Sequence, residues 1–154
     1  MQPGDHIEWE SNNLNINNNE IINNNPSGWN SIGVSKLSTK LSEEDLGGIE
    51  FRCLNNNTMG VIGLGDSSSN NHNYNSLTFA IKLNSNSRIS IYDKARLLTG
   101  YFGGYNSNDL FQIRFSDSNN KIEFIKNNIL IYSNNVHEND KLKFYKSYVA
   151  PYSD

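Results

Sequence analysis

The sequence predicts an all-β fold, an antiparallel β-sandwich or barrel, on three observations. Apolar residues recur at every second position in about a dozen short segments, turn residues separate those segments at intervals of roughly 8–12 positions, and no βαβ alternation, heptad or solenoid period interrupts them. Composition agrees: only 36% of the 154 residues are hydrophobic, yet aromatics reach 11%, with 8 Tyr and 7 Phe. Aromatic and β-branched side chains suit a pleated, half-buried surface. The length fits one domain, residues 1–154, able to bury about two-thirds of its extended surface.

In chain order, His6 to Glu10 turns Ile7 and Trp9 inward as an edge strand. Leu14 and Ile16 form a short strand that Asn17-Asn18-Asn19 returns into Ile21-Ile22. After the Pro26-Ser27-Gly28 loop, Trp29, Ile32 and Val34 begin another strand. Ser38 to Asp45 has helical character, with Ser42 and Asp45 spaced as a capping box for one turn and Gly47-Gly48 closing it. Ile49–Leu54 and Met59–Leu64 flank Asn55-Asn56-Asn57 as a predicted hairpin, and Gly63 and Gly65 mark a bulge or close backbone approach. A polar loop, Asp66 to Asn75, leads to Leu77, Phe79, Ile81 and Leu83, the clearest alternation in the chain. Ser85-Asn86-Ser87 turns it into Ile89-Ser90-Ile91-Tyr92, and Leu97 to Tyr101 and the Phe102–Tyr105 corner follow.

Asp109 to Ser133 then reads as a three-strand meander. Phe111, Ile113 and Phe115 share one face, Ile122 and Phe124 repeat the pattern, and Asn127-Asn128 supplies residues tolerant of positive φ for a tight hairpin. A meander cannot bury its apolar face alone, so a second sheet must cover it. Asn134 to Asp140 is a loop, and Leu142, Phe144 and Tyr148 form a last strand before Pro151.

The formal net charge is −3 and Lys and Arg are scattered, which leaves no electrostatic footprint for nucleic acid. No apolar run approaches the roughly 20 residues of a membrane span, so membrane insertion is not expected. The opening MQPGDHIEWE has neither a basic nor an apolar signal region, which points to a cytoplasmic protein or one exported without a signal peptide. The Asn runs read as turn-filling compositional bias rather than as a row of ligand amides. Cys53, the one cysteine, shares a face with Ile49 and Phe51 and reads as a small buried hydrophobe.

The middle of the chain resembles a known family. Gly60-Val61-Ile62-Gly63-Leu64-Gly65-Asp66-Ser67-Ser68-Ser69, Tyr74-Asn75-Ser76-Leu77-Thr78-Phe79-Ala80-Ile81, Gly100-Tyr101-Phe102-Gly103-Gly104-Tyr105, Asn108-Asp109-Leu110-Phe111-Gln112-Ile113 and Ile122-Glu123-Phe124-Ile125-Lys126-Asn127 follow in the order seen in concanavalin A-like jelly-roll modules of bacterial adhesins and slime-mould haemagglutinins. The SPRY domain is similar too. Asn108 and Asn128 stand where those modules carry Gly, and both still tolerate positive φ. The resemblance covers roughly Trp29 to Asn134. It implies a jelly roll of two antiparallel sheets with a glycan-binding or protein-binding face.

Catalysis finds little support. Glycoside hydrolysis needs two carboxylates facing across a groove at roughly 5–9 Å, and no E-x-D-x-x-E pattern occurs. His6, His72 and His137 fit no zinc spacing, and no nucleophile elbow is present. The expected protein is not an enzyme. Saccharide recognition needs amides and carboxylates for paired hydroxyls and an aromatic face for the sugar's C–H patch. Two loops offer both kinds. The first supplies Asp66, Asn71 and Tyr74; the second supplies Tyr101, Gly104, Tyr105 and Asn108. Asp66 and Asp109 could instead bond loop amides, and Tyr105 could plug the end of the sandwich. Tyr92, opposite Ile89 and Ile91 in the alternation, is a further ligand candidate, or a residue half-covered by a neighbouring strand. No cofactor is required. Calcium is a possible ligand of the Asp66–Asn75 loop, which has oxygen donors but a single carboxylate. The expected partner is a glycan or glycoprotein, with a homo-oligomer a possible form because linked shallow sites raise avidity. The alternative is a SPRY-like module that binds a peptide through the same loops.

Overall fold

The computed structural model describes residues 9–12, 14–17, 20–23, 32–35, 39–40, 48–53, 59–67, 77–98, 102–116 and 120–151, with side chains described over 48–53, 59–67, 77–98, 102–116 and 120–149. The strands are β1 (Trp9–Asn12), β2 (Leu14–Asn17), β3 (Glu20–Asn23), β4 (Ile32–Ser35), β5 (Thr39–Lys40), β6 (Ile49–Arg52), β7 (Gly60–Asp66), β8 (Phe79–Leu83), β9 (Ile89–Asp93), β10 (Arg96–Leu98), β11 (Leu110–Ser116), β12 (Lys121–Lys126), β13 (Ile129–Asn135) and β14 (Phe144–Pro151). One helical turn, α1 (Glu138–Lys141), precedes β14. Among the described residues these strands make an eight-stranded sheet in the order β1-β4-β14-β7-β8-β9-β10, with β5 also on β14. A four-stranded sheet, β13-β12-β11-β6, and the β2-β3 hairpin complete them. The fold is an all-β antiparallel sandwich, as expected.

Alternation sets the interior. Phe111, Ile113, Ile122 and Phe124 of the small sheet meet Leu64, Phe79, Ile81 and Ile91 of the large one, and all eight have no solvent exposure. Burying each such side chain is worth about 1.5–3 kcal/mol before the entropy of ordering is subtracted. The large sheet carries a second apolar layer on its other face: Val61, Leu77, Ala80, Tyr92 and Tyr148. Two glycines in β7 make that layer possible. A Cβ on Gly63 would run into the Phe79 carbonyl and Ala80, and one on Gly65 would come within 2.7 Å of the Tyr148 ring.

The meander β11-β12-β13 follows the sequence pattern, and Asn127 and Asn128 at its tight turn have φ of 51° and 67°. Three expectations need correction. Segments 49–54 and 59–64 do not form a hairpin: β6 pairs with β11 in the small sheet, while β7 lies between β14 and β8 in the large one. Phe51 stacks on Phe111 at 5.2 Å where the two strands pair. Thr39 and Lys40, expected in a helical turn, pair with Tyr145 and Phe144 as a strand, and the described helix lies instead at Glu138–Lys141, overlapping the end of the expected Asn134–Asp140 loop. In the last strand, which lies between β4 and β7, Tyr145, not Phe144, faces the core: Tyr145 is fully buried whereas Phe144 is 49% exposed.

Strand β7 gives the sandwich two ends. At its Gly60 end lie Leu83 and the β8–β9 turn; at its Asp66 end lie Phe79, Asp93 and Tyr145. Six residue steps at about 3.3 Å separate them by roughly 20 Å.

Candidate functional site

Asn71, Tyr74 and Tyr101 lie outside the described residues. The other candidates do not come together, because the two loops attach at opposite ends of the sandwich. Gly104 bridges to Arg88, at the Gly60 end, and its carbonyl accepts from Lys126 Nζ at 2.9 Å. Tyr105 is 2% exposed, donates its hydroxyl to the Asn84 carbonyl at 2.8 Å and meets Phe111 edge-on at 6.4 Å. Burial, with the neighbouring Cys53 second, pushes its phenol up to about 12. It plugs this end of the core.

Asn108 sits at φ 67°, donates its N–H to the Cys53 carbonyl at 2.7 Å and accepts from Arg52 Nη1 at 2.7 Å. Beside it, Asp109 accepts from the Asn106 N–H at 2.7 Å and from Asn127 Nδ2 at 2.9 Å. Burial pushes the Asp109 carboxyl up, but those two donors and the Lys126 charge outweigh it and hold the group below its ordinary value. Cys53 donates its thiol to the Asn106 carbonyl at 3.2 Å, and burial, with Asp109 second, pushes the thiol up. This end is an interlocked set of turns.

Asp66, at the other end, ion-pairs with Lys143 at 3.8 Å. Tyr92 does turn away from Ile89 and Ile91, as the alternation requires, and is 6% exposed within the second apolar layer. Arg114 turns outward as the alternation also requires, 59% exposed and paired with Glu123 at 3.2 Å.

The Asp66 end holds a polar group that the sequence reading missed. Asp93 closes β9 on the inward face, in register with Ile89 and Ile91, and is 2% exposed. Its Oδ2 accepts from the Tyr132 hydroxyl at 2.9 Å and from Asn134 Nδ2 at 2.7 Å, which joins the edge strand of the small sheet to the large sheet. Its Oδ1 is buried and has no hydrogen-bond partner among the described residues. Tyr132 and Asn134 are half-buried, and Tyr132 packs against the core cluster. The Tyr132 phenol is pushed up to about 12 by burial first, then by the Asp93 hydrogen bond and charge, against an opposing effect of Arg96. Phe102 packs edge-on against the Tyr132 ring at 5.6 Å.

These inward positions depend on a β-bulge. Phe124 pairs with Tyr132 and Ile125 with Leu130, so Ile131 is the extra residue that re-aims Tyr132 and Asn134 toward Asp93. The inward register of an acidic residue after Ile89 and Ile91 was the signal available in the sequence; the bulge gave none.

Among the described residues no group of three His, Cys, Asp or Glu side chains could hold a metal ion, and no helix is long and apolar enough to cross a membrane. No protein-family model matches the chain, and no curated protein matches it. Solved structures do. The chain is similar to the Emp47p carbohydrate recognition domain with a TM-score of 0.56 and 10% identity, over 94% of this chain and 80% of that one. A sialidase shares 12% identity at a TM-score of 0.35, over 82% of this chain and 13% of that one. The first likeness shows that the two share the β-sandwich fold.

Proposed function

We propose that the chain is a non-catalytic carbohydrate-binding module that recognises a glycan or glycoprotein. The observation that carries the reading is the extent of the likeness to a carbohydrate recognition domain: 94% of this chain superposes on that fold with a TM-score of 0.56. The haemagglutinin-like and adhesive character implied by the sequence resemblance belongs to the same proposal, as does a homo-oligomer, since low affinity at a shallow site gains from multivalency.

A glycan array with a red-cell agglutination assay tests it. Binding to one glycan class, with agglutination blocked by the free sugar, is the expected result. A clean array with a specific peptide captured in a pull-down would replace it by the SPRY-like reading. Release of free sugar from a bound glycan would make the protein a hydrolase.

A further inference from the structure

Resting on the carbohydrate-binding reading, we propose that the outward face of the small sheet is a platform for a neutral saccharide, with the Arg114 guanidinium donating to one sugar hydroxyl and the Glu123 carboxylate accepting from the next. Phe111, Ile113 and Phe115 turn one face of β11 into the core, so Gln112 and Arg114 stand on the other. The register sets Glu50 of β6 beside Gln112 and Glu123 of β12 beside Arg114, and Leu130 of β13 follows on the same face. This face is open to a ligand: the Arg114 side chain is 59% exposed, Leu130 is 50% exposed, and Glu50 and Arg52 are exposed as well. Strands about 4.8 Å apart and alternate residues about 6.7 Å apart put Glu50, Gln112, Arg114 and Glu123 in a patch of roughly 10 by 7 Å. That patch suits one or two sugar rings.

The pairs on this face orient the polar groups without using them up. Arg114 donates its Nε to Glu123 Oε1 at 3.2 Å, and Gln112 donates its Nε2 to Glu50 Oε2 at 3.2 Å. Among the described residues both Nη groups of Arg114, Glu123 Oε2, Gln112 Oε1 and Glu50 Oε1 make no further side-chain bond. A guanidinium gripped at Nε presents its Nη groups as a fixed fork, and a carboxylate oxygen alongside supplies the acceptor; neighbouring sugar hydroxyls match such a donor–acceptor pair. Charge chooses the ligand class. Glu123 balances Arg114 and Glu50 balances Arg52, so the patch has no net charge to draw phosphate. A peptide that adds a strand would use a sheet edge rather than this face. The exposed Leu130 gives the sugar's C–H face an apolar neighbour. An exposed ion pair contributes little to folding stability, so substitutions here report on binding.

The test titrates mannose, galactose, glucose and N-acetylglucosamine, and disaccharides built from them, into the intact chain by calorimetry and by NMR of the Gln112 side-chain amide. For a sugar the wild type binds, Arg114→Ala is expected to weaken affinity by about ten- to a hundred-fold, the loss of hydrogen bonding to a charged group. Glu123→Gln is expected to weaken it several-fold, and the Gln112 amide signals shift on saturation of the wild type. Lys143→Ala, which breaks the exposed ion pair with Asp66 at one end of the sandwich, is expected to leave affinity unchanged. Unchanged affinity in Arg114→Ala, Gln112 signals that stay still, or an equal loss in Lys143→Ala would each overturn the platform while leaving the carbohydrate reading intact. If Arg114→Ala does not fold, Arg114→Lys, which keeps the charge and loses the planar fork, decides by the same criteria. A folded wild type that binds neither these sugars nor any glycan on an array would remove the reading on which the proposal rests.

Discussion

At the scale of single residues, Tyr105 carries more stability than its place in a polar loop suggests. Its ring closes one end of the core and its hydroxyl serves the Asn84 carbonyl. Tyr105→Ala is expected to cost about 3–5 kcal/mol, and Tyr105→Phe about 1–2 kcal/mol, in urea unfolding. Asp109 makes a pH-dependent contribution. Its folded carboxyl lies below the ordinary value of 3.8, so the stability it gives is complete above that value and is lost as the pH falls through the lower, folded one. Acid unfolding of Asp109→Asn is expected to lack that component, which thermal melts between about pH 5 and pH 2 would detect. The two glycines of β7 differ in kind. Gly65→Ala presses on a movable Tyr148 ring, whereas Gly63→Ala presses on the Phe79 carbonyl and Ala80, so Gly63→Ala is expected to be the more destabilising, by about 1–3 kcal/mol, in calorimetric melts.

At the scale of elements, the strands were legible wherever one face is apolar and the other polar. Phe111, Ile113 and Phe115 declare β11, and Phe79, Ile81 and Leu83 declare β8, because a period of two leaves little choice of face. Pairing was less legible. The short spacing between β6 and β7 suggested a hairpin, yet each strand buries its apolar side chains in a different sheet, and that choice rests on long-range contacts such as Phe51 with Phe111. The bulge at Ile131 was invisible for a related reason: unbroken alternation from Ile129 would turn Ser133 inward, and only the partner strand shows that Tyr132 and Asn134 take the inward places. On β13 the exposed Ile129, at 67%, sits on the edge of the small sheet. Ile129→Lys is expected to change stability by less than about 0.5 kcal/mol and to reduce concentration-dependent association in light scattering, since a charge blunts an edge strand.

At the scale of the whole molecule, the sandwich decides which residues can act together. The sequence offered two polar loops as binding candidates, and Asp66 lies at one end of β7 with Gly104, Tyr105 and Asn108 at the other, roughly 20 Å apart, too far for one monosaccharide to touch both. The Asp93 cluster belongs to the Asp66 end. Local pattern could show Asp93 turned inward; it could not show that residues 39 and 41 positions later would meet it across the sandwich. The most direct measurement of the central claim is saturation-transfer difference NMR on the folded chain with a mixture of neutral sugars. Transfer to the ring protons of at least one sugar, absent when the same sugars are mixed with the unfolded chain, is the predicted result; a folded protein that transfers nothing to any sugar would contradict it.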